Sequence, residues 1–148
     1  MASELLDRIN RQILELLQLD GRISFSELAR RVGLSTPSTI ERIRKLEDAG
    51  ILAGFTVRVN LGALGYNVMA LIEVKTSPTS HQKVLEYART EPRIRECYFV
   101  TGDSSIVVRV VMRDIAELQG FIERLGIFGA TRTSVVLSQP MMKDSFVV

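Results

Sequence analysis

The sequence predicts an α+β chain in which a helix-turn-helix unit precedes a ferredoxin-like β-α-β-β-α-β sheet. Three observations carry this. Apolar residues recur at helical spacing from Leu5 to about Ala49, with a Gly-containing turn at Gly33. The period changes to extended from Asn67 onward. The later segments then run strand, helix, strand, strand, helix, strand. With 148 residues and 46% hydrophobic content, the chain can build one medium core or two small ones.

The first helix is expected from Leu5, Ile9, Ile13, Leu16 and Leu17, with Ser3 as its N-cap and Asp20-Gly21 ending it. Ser24 or Ser26 caps a short second helix through Glu27 to Val32, stopped by Gly33. Ser35 or Thr36 caps a third helix, and Pro37 falls in its first turn, where a missing N–H costs nothing. Helical geometry places Ile40, Ile43, Leu46 and Glu47 on one face and Ser38, Glu41, Arg42 and Lys45 on the other. Phe55, Val57 and Val59 alternate, so Ile51 to Asn60 reads as a strand, followed by a loop at Gly62 and Gly65. Further strands are expected over 68–76, 94–101, 105–112 and 131–138, and helices over 81–90 and 115–125, the last capped by Asp114. The expected organisation is a helix-turn-helix domain over 1–52, a connecting strand and linker over 53–66, and the sheet domain over 67–148.

The net charge of +2 says little by itself. Locally, Arg22, Arg30, Arg31, Arg42, Arg44 and Lys45 are opposed only by Glu27 and Glu41, which suits a phosphate-facing surface or a solvated basic face. In a helix-turn-helix the second helix of the motif enters the major groove by its N-terminal end. Here that end carries Ser35, Thr36, Ser38 and Thr39, small hydroxyls suited to phosphates or base edges, and free N–H groups that favour a phosphate. Arg42 and Lys45 follow on the outward face, and Arg fits a guanine edge, worth roughly 1–3 kcal/mol of discrimination. Arg22, Arg30, Arg31 and Arg44 are expected to grip the backbone. Glu41 either accepts from cytosine or, the favoured reading, pairs with Arg44 or Lys45.

The third sheet strand, with Ile106, Val107, Val108, Val110 and Val111, is apolar on both faces. A sheet with helices on one side must then cover the other, and an identical sheet would do so in a two-fold dimer. The turn Thr101-Gly102-Asp103-Ser104-Ser105 is the candidate for ligand contact, against the alternative of an ordinary hairpin turn.

Cys97 is the only cysteine and His81 the only histidine, so no disulfide framework or Cys/His metal site can form within one chain. Cys97 is expected as a core thiol and His81 as an exposed residue near a helix start. No catalytic constellation, resident cofactor, signal peptide or transmembrane run is seen, which points to a soluble cytoplasmic non-enzyme without membrane partners.

Leu6-Asp7-Arg8-Ile9, Asp20-Gly21-Arg22, Glu27 through Ser35, Glu41 through Glu47, Ile51 through Phe55 and Val100-Thr101-Gly102-Asp103 occur in register across the chain. In these pieces the sequence resembles the Lrp/AsnC, or feast/famine, transcription regulators from about Leu6 to Leu137. The resemblance implies a winged helix-turn-helix, a connecting strand and a ligand-sensing ferredoxin-like domain. It also implies double-stranded DNA as a partner, and dimers that assemble further, often to octamers. The implied effector is an amino acid or related small molecule bound near Thr101, Gly102, Asp103, Ser104 and Ser105, with Thr131 and Thr133 contributing. The sequence departs from the family pattern at Ser104 and Ser105, where an aromatic residue and an Asp are usual, and around Phe128-Gly129-Ala130. The expected function is therefore sequence-specific transcription regulation. The alternatives are an architectural DNA-wrapping protein and a ligand-sensing assembly module without sequence-specific DNA function.

Overall fold

The computed structural model describes residues 5–103, 105–143 and 146. By contact the chain divides into two compact units. One comprises the described residues up to Arg58 together with those from Met141 on; the other spans Val59–Pro140.

The first unit contains α1 (Arg8–Leu19), α2 (Phe25–Val32) and α3 (Thr36–Asp48). Ile13, Leu14, Leu17, Leu28, Val32, Ile43 and Leu46 form its buried core. Each helix opens on a side-chain cap. Asp7 accepts from the Asn10 N–H at 2.7 Å, Ser24 from Glu27 at 3.2 Å and Ser35 from Ser38 at 3.3 Å. Asp7 thus holds the role expected of Ser3, a residue outside those described. At the other end of α1, Asp20 is extended (φ −143°, ψ 92°) and its N–H reaches the Leu16 carbonyl. Gly21 is therefore not the left-handed cap that was expected. Gly33 is: at φ 71°, ψ 31° it closes α2 and turns the chain into α3.

The strand expected over 51–60 forms no ladder among the described residues, and Phe55, Val57 and Val59 are exposed. No β wing is built there by this chain. Alternation supplies the pattern of a strand, but a strand needs a neighbour for its backbone hydrogen bonds.

The second unit has the expected order: β1 (Val68–Lys75), α4 (His81–Thr90), β2 (Ile94–Phe99), β3 (Ile106–Met112), α5 (Ile115–Leu125) and β4 (Ala130–Val136). The antiparallel sheet runs β2-β3-β1-β4. Ala70, Ile72 and Val74 of β1 stand opposite Val110, Val108 and Ile106 of β3 and share one face with them. That face packs on Val84 of α4 and on Leu118, Phe121 and Leu125 of α5. Cys97 packs against this core, as expected, and burial pushes its thiol pKa up. His81 departs from expectation. It is half-buried, stacks on Phe99 with ring centroids 5.2 Å apart, and its Nε2 has no hydrogen-bond partner among the described residues.

The open face is less apolar than β3 alone suggested. Met69, Leu71, Val107, Val111 and Val136 lie there, but so do Glu73 with Arg132 at 4.0 Å and Glu96 with Arg109. The Arg109 guanidinium holds the Glu96 carboxyl down to about 2.

Gly129 directly precedes β4 at φ 155°, and a Cβ built on it would lie 2.1 Å from the Lys75 carbonyl oxygen. Backbone occupies that space, so no side-chain motion relieves the clash. Gly129→Ala is expected to destabilise the protein by about 1–3 kcal/mol. Urea or thermal unfolding checks this, and an unchanged midpoint would contradict the packing.

Candidate DNA interface and effector turn

α3 owes its rotation about its own axis to Thr39, Ile43 and Leu46, spaced i, i+4, i+7 and all buried against the other two helices. Thr39 is 0% exposed, and its hydroxyl donates to the Ser35 carbonyl at 3.0 Å. It therefore cannot meet a groove, contrary to the expectation from sequence. Ile40, expected on the same face as Ile43 and Leu46, is 44% exposed.

Arg42 is also displaced from its expected role. Its guanidinium Nη1 donates to Asp7 Oδ2 at 2.7 Å and to Asn10 Oδ1 at 3.0 Å, tying α3 to the start of α1. Asn10 is itself buried and donates to the Leu5 carbonyl at 2.6 Å. This contact between helices uses the Nη1 donors of Arg42. Asp7 was the missed residue. The available signal was an acidic residue directly before a helical run, the signature of an N-cap.

Of the other expected contacts, Ser38 and Lys45 are exposed on α3 and Thr36 is half-buried in its first turn. Ser35 is occupied as cap and also donates to the Ser38 hydroxyl at 2.9 Å. Lys45 lies 3.6 Å from Glu41, one of the two partners that the favoured reading of Glu41 allowed. Arg44 lies 3.9 Å from Asp48. Arg22 is exposed in the α1–α2 connection. Arg30 and Arg31 both reach Glu27, at 2.7 and 2.8 Å, and are otherwise solvent-exposed. Their guanidinium groups, Arg30 first, hold the Glu27 carboxyl down to about 2. Exposed pairs of this kind are weak and yield readily to a phosphate.

In the second unit, Thr101, Gly102 and Asp103 are exposed at the β2–β3 turn, with Gly102 at φ 108°. Ser104 lies outside the described residues. The Ser105 hydroxyl is already used: it donates to the Thr76 carbonyl at 2.9 Å and accepts from the Thr76 N–H at 3.2 Å, closing β3 onto the end of β1. Thr131 and Thr133 are half-buried on β4, opposite Val74 and Ile72. Thr131 therefore shares a sheet end with the turn but is separated from it by β1, about 10 Å across two strand spacings. Thr133 lies a further two residues down the strand. Among the described residues no three His, Cys, Asp or Glu side chains gather to hold a metal ion.

Two family models match the two halves of this architecture. The AsnC-type helix-turn-helix domain covers residues 6–47, and the Lrp/AsnC ligand binding domain covers residues 69–146. The chain belongs to the Lrp/AsnC family. It is similar to the HTH-type transcriptional regulator FL11 of Pyrococcus furiosus, 36% identical over 136 residues and covering 90% of each chain. It is also similar to the leucine-responsive regulatory protein of Rhizobium meliloti, 40% identical over 120 residues, which are 79% of this chain and 77% of that one. The solved LrpC of Bacillus subtilis superposes with a TM-score of 0.87 at 31% identity, covering 93% of this chain and 99% of the other. As a member of the Lrp/AsnC family the chain is a DNA-binding transcriptional regulator with a ligand-binding domain, and no helix among its described residues is long and apolar enough to cross a membrane.

Two outcomes follow for the Arg42–Asp7 tie. Both side chains are partly exposed, so Arg42→Ala is expected to cost only about 0.5–1 kcal/mol of stability. It is expected to weaken binding to all DNA sequences alike by loosening α3; gel-shift titration on specific and random duplexes reads this. The pH dependence has a definite sign. The Asn10 N–H, and then Arg42, hold the Asp7 carboxyl below its ordinary 3.8. Such an acid stabilises the fold above its unfolded value, and the contribution is lost as pH falls through 3.8 and past the lower folded value. Asp7→Asn should therefore flatten the fall in stability over that acid range, measured by urea unfolding at stepped pH.

Proposed function

We propose that the protein is a sequence-specific regulator that presents α3 to the major groove of double-stranded DNA and adjusts its activity to an amino acid or related small molecule. The observation that carries the DNA reading is the capped, outward face of α3. Ser38, Glu41, Arg44 and Lys45 are exposed there on a helix whose opposite side is locked into the core. Arg22 and Arg31 contact phosphates, and the first turn at Ser35 and Thr36 offers backbone N–H groups to another. Thr39 and Arg42 support this surface from behind. The protein acts in the cytoplasm as a dimer, joined through the open face of the sheet and assembling further, so that two copies of α3 address two half-sites.

For the effector, the exposed turn Thr101-Gly102-Asp103 is the proposed contact, with Asp103 facing an amino group. Ser105 holds the turn to β1, and Thr131 and Thr133 stand at the far side of the same sheet. The similarity to a protein named leucine-responsive supports an amino-acid effector.

Binding to a selected duplex should weaken linearly in log Kd against log salt, and Arg31→Ala should reduce that slope by about 0.9. Absence of salt-dependent binding would overturn the regulator reading. Each of the twenty amino acids, added at about 100 times its Kd, would stabilise the protein by about 2.7 kcal/mol if it is the effector. A thermal-shift screen in which none moves the midpoint would overturn the amino-acid reading.

A further inference from the structure

We propose that Ile40 is a specificity-determining residue that reads the 5-methyl group of a thymine in the major groove. The inference rests on the DNA-binding reading above and assigns one base feature to one side chain. Ile40 is 44% exposed on a helix whose other exposed side chains are almost all polar or charged. It lies in the leading half of α3, the part that enters the groove first. It follows buried Thr39 by one residue, so its side chain projects about 100° round the helix axis from the core-facing direction. Pro37 and Arg44 flank it at i−3 and i+4 and are also exposed, which places Ile40 between an apolar neighbour and a cation on one ridge.

Such a ridge matches one base feature. Among the groups that base pairs present in the major groove, only the thymine methyl is apolar; the rest are donors and acceptors. An isoleucine among polar neighbours gains nothing from a guanine or cytosine edge and leaves its donors and acceptors unpaired. Arg44 beside it is placed to reach a phosphate or a neighbouring base. Arg42 is tied by its Nη1 to Asp7 and Asn10, on the other side of α3 from the ridge of Ile40.

The test uses the full-length chain. Duplexes bound from a random pool are sequenced, and each thymine of the preferred site is replaced singly by uracil, which differs only in lacking the methyl group. At one position of the half-site the wild type is expected to lose about fourfold in affinity, which corresponds to ~0.8 kcal/mol for one buried methyl. With Ile40→Ala the same replacement should be neutral, so that the double-mutant cycle closes on a single contact. Ile40→Gln, a second variant that also suits a helix, should behave likewise, and thermal melts of both variants monitor folding. Uracil replacements that are neutral throughout would overturn the assignment. So would a loss of equal size in wild type and variants, or a preferred site without thymine. In each of these cases DNA is still bound. Failure of the wild type to bind any duplex is a different result, which removes the DNA-binding reading and this assignment with it.

Discussion

The rotation of α3 decides which of its side chains another molecule can meet, and three residues decide that rotation. Thr39, Ile43 and Leu46 are the buried residues of α3, and Ile43 and Leu46 join side chains of α1 and α2 in one core. A single-residue slip would turn the helix by about 100°, bringing Ile40 inward and Thr39 outward. That slip would also bring Arg44 and Glu47 inward in place of Ile43 and Leu46, so hydrophobicity opposes it. The observed rotation keeps Ile43 and Leu46 buried and tolerates Thr39 beside them, because the Thr39 hydroxyl is satisfied within the helix, on the Ser35 carbonyl. The same rotation brings Arg42 within reach of Asp7 and Asn10, adding a polar tie to an apolar contact.

Much of the fold was legible in the sequence, because it follows from local patterns. The caps Ser24, Ser35 and Asp114, the left-handed Gly33 and the strand–helix alternation after Asn67 each leave a signal within a few residues. The failures share a different character. Ile40 and Thr39 compete for the same core position, and periodicity cannot see that a hydroxyl will find its own partner. Arg42 meets an acid 35 positions earlier, far beyond any helical repeat. The alternation of Phe55, Val57 and Val59 has the period of a strand, yet this chain provides no ladder for it among the described residues.

The functional surfaces were legible in location more than in chemistry. Counting six basic residues against two acidic ones between Arg22 and Lys45 overstated the free positive charge, since Glu27 engages both Arg30 and Arg31. In the sheet, Glu73, Arg109 and Arg132 are scattered over three strands, and only the register reveals that they fall on one face. The hydroxyl of Ser105 looked available for a ligand but serves the backbone of Thr76. For Ser105 and the sheet charges the partner is long-range and invisible to spacing, whereas Glu27 meets Arg30 and Arg31 within one turn of the same helix.

Cys97 lends the molecule a practical property. Its thiol is half-buried beneath α4 and α5, and its raised pKa leaves little thiolate at neutral pH, so alkylating reagents and oxidants reach it slowly. Being the sole cysteine, it reports on the sheet unit alone. The rate at which it is labelled therefore reports on the sheet unit, separately from any fraying of the three-helix unit. A single chain thus carries a built-in chemical reporter on one half of itself.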